Sequence, residues 1–280
     1  MSKNNKVWFI TGASKGLGLV LAKQALARGY RVAATSRSVD DLVKAVGGKT
    51  GALLPLAMEV TDEASVRAAV GATLAHFDAL DVVVNNAGYG QLGTPEEASD
   101  AEARRNYDVN VFGVLNVLRA SLPHLREQRS GHVFNIASIG GLFGGFTGWS
   151  IYCSTKFAVA GITESLRADV APFGVDVTLV YPGYFRTEFL TSGSLRLPER
   201  PNPAYEEARA SEMTHTAQIN GAQPGDPEKA ARAMLDIYDR PTPPLHLFLG
   251  SDAVKMAEQK LRELAADLDA NRAVSVGTDF

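Results

Sequence analysis

Short, uniformly apolar runs alternate with longer stretches of helical period along almost the whole chain, and no other feature narrows the possible folds so far. The apolar runs are residues 7–10, 31–35, 52–60, 82–85, 132–137, 175–181 and 246–249. Between them, residues 17–28, 40–46, 63–77, 102–126, 155–170 and 229–238 carry apolar side chains at helical spacing. Strands this short and this apolar belong in a sheet whose two faces are both covered by helices. Alternation sustained through the chain predicts an α/β fold with a doubly wound, mostly parallel sheet. No linker divides residues 1–280, so a single domain is expected.

Two regions depart from the alternation. Residues 188–227 hold five prolines, many polar side chains and no sustained period, apart from a candidate helix over 205–216. Irregular stretches of this length in a compact domain commonly serve as functional lids, and a mobile substrate lid is the expectation here. Residues 251–280 read as an amphipathic helix over 251–270, with Val254, Ala257, Leu261, Leu264 and Leu268 on one face, and a polar tail.

Charge and cysteine content exclude several classes. A net charge of −3 with scattered Lys and Arg offers nothing to a nucleic-acid partner. No apolar run is long enough to span a bilayer, and the stretch after the polar N-terminus is too short for a signal peptide, so a soluble, cytoplasmic protein without a membrane partner is expected. Cys153 is the only cysteine, which rules out an intrachain disulfide and a cysteine-based metal cluster. His76, His124, His132, His215 and His246 are far apart and read as ordinary surface or packing histidines, and no metal site is expected.

The first strand runs directly into Thr11-Gly12-Ala13-Ser14-Lys15-Gly16-Leu17-Gly18, and a helix follows. Glycines here let the backbone turn sharply and approach a pyrophosphate without Cβ atoms in the way. The helix N-terminus then offers free N–H groups and a favourable dipole to the anion. The spacing is GxxxGxG, and the GK[ST] of a P-loop is absent.

In a dinucleotide-binding fold an acid at the end of the second strand favours NAD, whereas an arginine accommodates a 2′-phosphate. That strand ends here in Ser36-Arg37, and Lys15 places a second cation in the glycine turn. Together they favour NADP(H) over NAD(H). Asp40 and Asp41 read instead as first-turn residues of the next helix, with Ser38-x-x-Asp41 as its capping box.

Tyr152-Cys-Ser-Thr-Lys156 puts a phenol and an ammonium four residues apart, on one helix face. A free tyrosine has a pKa of about 10, and a nearby cation that stabilises phenolate would make it a usable general acid/base at neutral pH. With Asn85-Asn86-Ala87-Gly88, Asn110, Ser138, and Pro182-Gly183 with Thr187 added in order, the chain resembles the single-domain branch of the short-chain dehydrogenase/reductase family over essentially its whole length.

The resemblance implies roles position by position. Ser138 would hydrogen-bond the substrate oxygen and Tyr152 would donate or accept its proton. Lys156 would bind the nicotinamide ribose and depress the tyrosine pKa, and Asn110 would hold a water linking Lys156 to solvent. The cofactor would lie on Gly12, Ser14, Lys15, Gly16, Leu17 and Gly18, on Arg37, and on Asn85, Ala87 and Gly88 at its adenosine side. Pro182, Gly183, Phe185 and Thr187 would flank the nicotinamide. Two positions depart from the family pattern: Glu59-Val60 stands where Asp-Val commonly contacts the adenine, and Phe185 where a smaller aliphatic is common.

Gly140, Leu142, Phe143, Tyr184, Phe185, Phe189 and Leu190 are the candidate substrate wall, and their apolar character favours a small hydrophobic ketone, aldehyde or secondary alcohol. Family members pair through the equivalents of residues 102–126 and 155–170, which implies a homodimer or homotetramer. Two other functions fit the scaffold: a non-catalytic NADPH-sensing regulator, and an epimerase or dehydratase. The intact Asn110, Ser138, Tyr152 and Lys156 argue against the sensor. Residues 188–280 are short for the substrate region of an extended-branch nucleotide-sugar epimerase.

Overall fold

The computed structural model describes residues 5–48 and 50–280; the polar first four residues, where no signal segment is expected, lie outside them. β1 (Val7–Ile10) runs into α1 (Gly16–Ala27), β2 (Arg31–Ser36) into α2 (Val39–Val46), and β3 (Leu53–Ala57) into α3 (Glu63–Phe77). β4 (Val82–Asn85) leads to a short strand, β5 (Gly90–Gln91), and then to α4 (Asp100–Tyr107) and α5 (Gly113–Gln128). β6 (Gly131–Ile136), α6 (Ser150–Val170), β7 (Val175–Pro182) and β8 (Leu195–Arg196) follow. α7 (Glu206–Met213), α8 (Pro227–Tyr238), β9 (His246–Leu249) and α9 (Ser251–Val276) complete the chain.

Seven strands form one parallel sheet in the order β3-β2-β1-β4-β6-β7-β9, the doubly wound arrangement expected from the alternation. Successive side chains of β1 go to opposite faces: Val7 and Phe9 pack with α3, α5 and α6, and Trp8 and Ile10 with α1 and α8. All four are fully buried, each worth about 1.5–3 kcal/mol, which is why these runs show no polar alternation. Strand order reverses between β1 and β4, so the loops at their carboxyl ends diverge and leave a crevice there.

Several local expectations change in three dimensions. The helix expected over 102–126 starts at Asp100 and is interrupted by a π-turn, Asp108–Phe112. Its start is a full capping box between Ser99 and Glu102, whereas at α2 only half of the expected box forms: the Ser38 hydroxyl accepts from Asp41 N, 3.2 Å. The strand over 52–60 contracts to Leu53–Ala57. α6 begins earlier than residue 155 and so includes Tyr152. α9 runs on to Val276, through most of what reads as a polar tail.

Residues 188–227 are more ordered than their composition implies. β8 pairs with β5 in a second, parallel two-stranded sheet, Gly90 opposite Leu195 and Gln91 opposite Arg196. The expected helix over 205–216 appears as α7 followed by a second π-turn, Thr214–Ile219. Two buried acids moor the segment. Glu97 accepts from Asn202 N (2.8 Å) and pairs with Arg209 (2.7 Å), and Glu102 accepts from Glu199 N (3.0 Å). Burial works to raise both carboxyl pKa values, but the hydrogen bonds outweigh it and both lie below the ordinary range. Among the described residues no helix is long and apolar enough to cross a membrane.

Candidate active site

The glycine turn closes against the loop after β4. Gly12 has φ +64°, and a Cβ there would stand 2.9 Å from Ala87 Cα. A Cβ on Gly18 would collide with the Asn86 amide and lie 2.7 Å from Gly12 O. Thr11 Oγ1 accepts from the backbone N–H groups of Asn86 and Ala87 at 2.9 and 3.0 Å, and Asn86 Nδ2 donates to Thr11 O and Gly12 O. Two loops from different strands thus become one rigid lip. A cleft of about 910 Å³ opens beyond it, lined by Gly12, Ser14, Lys15, Gly16, Leu17, Ala87 and Gly88 among others.

Three cations gather at one end of the cleft. Arg37 is exposed at the end of β2, Lys15 comes from the glycine turn, and Arg196 from β8; all three line the cleft. Burial holds the Lys15 pKa below its ordinary value, Glu188 pulls it up, and Arg37 and Arg196 push it down. Lys15 Nζ donates to the Gly193 carbonyl at 2.8 Å, tying the turn to the 188–227 segment. Among the described residues none of the three forms a salt bridge. Arg196 escapes sequence reading because it reaches this corner only through the β5–β8 pairing.

At the other end Ser138, Tyr152 and Lys156 converge. Ser138 caps the short turn Ile139–Gly141, its Oγ accepting from Gly140 N at 3.1 Å, which leaves its own proton free to donate. A Cβ on Gly140 would lie 3.5 Å from Ser138 Oγ and 3.8 Å from the Tyr152 ring, a measure of how closely the two approach. Lys156 Nζ donates to Ile136 O at 2.9 Å and sits 5.8 Å from the centre of the Tyr152 ring. Asn110 lies in the first π-turn, where such bulges often mark functional sites. Both its amide protons and one oxygen lone pair are engaged: Oδ1 accepts from Tyr89 N, and Nδ2 donates to Tyr89 O and Thr155 Oγ1. Its side chain therefore clamps the Tyr89 segment beside Lys156.

Electrostatics here differ from the sequence expectation. Burial pushes the Tyr152 pKa well above its ordinary value; the Ser138 hydroxyl works the other way without overcoming it. Burial also lowers Lys156 to about 8. Desolvation of the phenol is the largest cause, while the Lys156 ammonium is turned onto the Ile136 carbonyl. In this state the tyrosine keeps its proton at neutral pH.

The family model for short chain dehydrogenases matches residues 6–196. Oxidoreductase BOA17 of Botryotinia fuckeliana is 36% identical over 275 residues, 98% of this chain and 99% of that protein. The 3-ketodihydrosphingosine reductase of Bacteroides thetaiotaomicron is 34% identical over 247 residues, 88% of each chain. The crystal structure of a short-chain dehydrogenase from Streptomyces avermitilis superposes with a TM-score of 0.91 at 39% identity, covering 100% of both chains. This chain belongs to the short-chain dehydrogenase family.

As a short-chain dehydrogenase it distributes the remaining candidate residues unevenly. Glu59, Val60, Pro182, Gly183, Phe185, Thr187, Gly140, Tyr184, Phe189 and Leu190 all line the cleft. The Glu59 carboxylate is turned onto Thr61, accepting from its N–H and hydroxyl. Gly88 lies beside Lys156 rather than at the adenosine side, a Cβ there falling 3.6 Å from Nζ.

Five expected residues do not line the cleft: Gly18, packed beneath the lip against Asn86, Asn110, buried in its π-turn, and three more. Asn85 is buried, and its amide donates to Asn135 Oδ1 on the neighbouring strand at 2.7 Å; Asn86 takes its place on the lip. Leu142 and Phe143 lie beyond the turn that Ser138 caps, which carries them outward to pack against Ala253 and Ala257 of α9. In their stead Phe146, Trp149, Tyr89, Leu195 and His215 complete the wall. Aromatic residues just ahead of Tyr152 were a legible signal for Phe146 and Trp149. No local pattern marks Leu195 or His215.

Proposed function

We propose that this short-chain dehydrogenase is an NADP(H)-dependent oxidoreductase that interconverts a ketone or aldehyde of largely apolar body and the corresponding secondary or primary alcohol. The observation that carries the reading is one cleft with a glycine-edged, cation-rich end and a Ser138–Tyr152–Lys156 cluster at the other. The cradle fits a dinucleotide, since Gly12 and Gly16 line it in left-handed backbone, φ +64° and +58°, and a Cβ on Gly16 would meet nothing nearer than Thr187 at 3.9 Å. Lys15, Arg37 and Arg196, which form no salt bridge among the described residues, fit a ribose 2′-phosphate, and the end of β2 carries no acid to receive a free 2′-hydroxyl.

The bound cofactor supplies or accepts the hydride. Ser138 donates its free proton to the substrate oxygen and so stabilises negative charge developing there. Tyr152 delivers its proton to that oxygen in reduction and withdraws it in oxidation. Lys156, charged below about pH 8, holds the nicotinamide ribose and keeps positive charge near the phenol as the proton leaves. Asn110 fixes the Tyr89 segment against which Lys156 packs; the relay water implied by the resemblance belongs to the same proposal.

Residues 188–227 act as a lid, with Phe189, Leu190 and Leu195 above the reacting carbonyl. The protein works in a reducing cytoplasm as a homodimer or homotetramer, a reading supported by apolar side chains left exposed on α6 and on the outer half of α9: Phe157, Leu261, Leu264 and Leu268. A panel of hydrophobic ketones and alcohols, followed by NADPH absorbance, tests the function. Turnover of at least one ketone is expected; tight NADPH binding without turnover across the panel would favour the sensor instead.

A further inference from the structure

Tyr184 and His215 form a hydrogen-bonded pair in the cleft wall, and the hydride and proton chemistry has no use for it. Tyr184 stands just after the end of β7, and His215 comes from the second π-turn, within residues 188–227. Tyr184 Oη and His215 Nε2 are 2.8 Å apart, and His215 Nδ1 lies 2.7 Å from the Ser211 carbonyl oxygen. A carbonyl oxygen only accepts, so Nδ1 carries the ring proton and Nε2 of the neutral ring is the acceptor. Burial holds the His215 pKa below its ordinary value and pushes Tyr184 up to about 12, so both groups stay neutral at pH 7. Tyr184 therefore donates to His215, and its proton is committed. What its oxygen still offers is lone pairs.

The pair is rigidly held. Tyr184 N donates to Asp252 Oδ2 at 2.6 Å, and the His215 ring meets the Trp149 ring at 4.8 Å. Trp149 in turn meets Tyr152 at 5.5 Å, and Tyr184 is close enough to Tyr152 to help raise its pKa. The cleft wall also carries apolar Leu190, Leu195 and Phe189 and the buried Gln223, whose Nε2 has no hydrogen-bond partner among the described residues. A spare acceptor in such a wall is costly to desolvate unless a ligand satisfies it.

We propose that Tyr184, oriented by His215, is a second anchor of the substrate site, its oxygen accepting a hydrogen bond from a hydroxyl that the substrate carries away from its reacting carbonyl. This rests on the oxidoreductase reading and sharpens its substrate class to hydroxylated ketones and aldehydes. An acceptor of this kind selects a hydroxyl over a methoxy or oxo group at the same position, because only the hydroxyl can donate. It also disfavours a carboxylate there, since Tyr184 has no proton to give and Asp252 lies against its backbone.

The test uses phenylacetone, benzylacetone, and their ortho-, meta- and para-hydroxy and methoxy derivatives with NADPH and the full-length enzyme. At least one hydroxy isomer is expected to show a KM about tenfold below its parent and its methoxy analogue, the worth of one hydrogen bond, with kcat changed less. Tyr184→Phe should erase that gap. His215→Phe should free the Tyr184 proton to donate to either oxygen, so the methoxy KM should fall toward the hydroxy KM, a gain that a merely structural link between lid and β7 would not produce. Equal KM values across the hydroxy, methoxy and parent ketones in the unmodified enzyme would overturn the proposal, as would a gap that survives Tyr184→Phe. Should Tyr184→Phe fail to fold, the unmodified series and His215→Phe decide. If no ketone is reduced, the oxidoreductase reading fails on its own; calorimetric binding of the same compounds to the enzyme with NADP⁺ still shows whether a hydroxyl tightens binding and whether His215→Phe brings the methoxy compound level with it.

Discussion

Replacing Tyr152 with phenylalanine separates chemistry from packing. The ring is buried, meeting Trp149 at 5.5 Å and Phe189 at 5.7 Å, and neither contact needs the hydroxyl. Removing the hydroxyl takes away an interaction with the Ser138 hydroxyl worth at most about 1 kcal/mol and relieves the burial of a polar group, which offsets part of that loss. At about 2–4 °C per kcal/mol for a chain of this size, the melting temperature should move by only a few degrees. The reaction loses its proton donor. General acid–base groups contribute about 10²–10⁴-fold, so the barrier should rise by about 3–5 kcal/mol. Steady-state rates on the best ketone of the panel, followed by NADPH absorbance, measure the loss. Fluorescence titration of NADPH should show affinity nearly unchanged, whereas Lys156→Ala should damage both rate and affinity. Near-full activity in the phenylalanine variant would refute the proposed chemistry, however well the residues are arranged.

Cofactor choice follows from the three cations: NADPH should bind about 1–3 kcal/mol more tightly than NADH through charge-assisted bonds, and Arg37→Asp should narrow or reverse the difference; equal dissociation constants in the unmodified protein would refute it. The Lys156 pKa, depressed to about 8, sets a pH dependence. Below that pH the lysine is charged and can hold the ribose; above it the charge is lost. NADPH affinity should therefore weaken as pH rises through about 8, and in Lys156→Arg the dependence should flatten. Hydrogen exchange tests the lid: amides over 188–205, held by a two-residue strand pair and a few side chains, should exchange faster than the central strands and slow when NADP⁺ and an alcohol bind. Protection equal to that of the strands in the free protein would count against a mobile lid. Self-association is read by sedimentation at micromolar concentration: an oligomer is expected, and Leu261→Gln with Leu264→Gln and Leu268→Gln should weaken it if α9 contributes. A monomer in the unmodified protein would refute it.

Much of this protein is legible from local pattern. Uniformly apolar strands alternating with helical stretches specify a doubly wound parallel sheet, because strands with two covered faces carry no polar period. Thr11–Gly18, and Tyr152 with Lys156, are equally legible, since a tight turn and an i, i+4 spacing act over a few neighbouring residues, whereas Ser138 comes only with the family resemblance. Tertiary structure decided the rest. Leu142 and Phe143 look like pocket residues until the turn capped by Ser138 carries them under α9. The Tyr152 pKa is raised mainly by a desolvation that exists only once residues such as Trp149 and Phe189 have closed around the ring. Arg196 reaches Lys15 through a strand pair linking residues 90 and 195, and His215 meets Tyr184 from 31 positions away. Glu97 and Glu102 moor a segment about a hundred residues downstream. Local propensity and periodicity carry information over a turn or two of chain, whereas burial, charge clustering and long-range hydrogen bonds depend on which distant segments the packed sheet brings together.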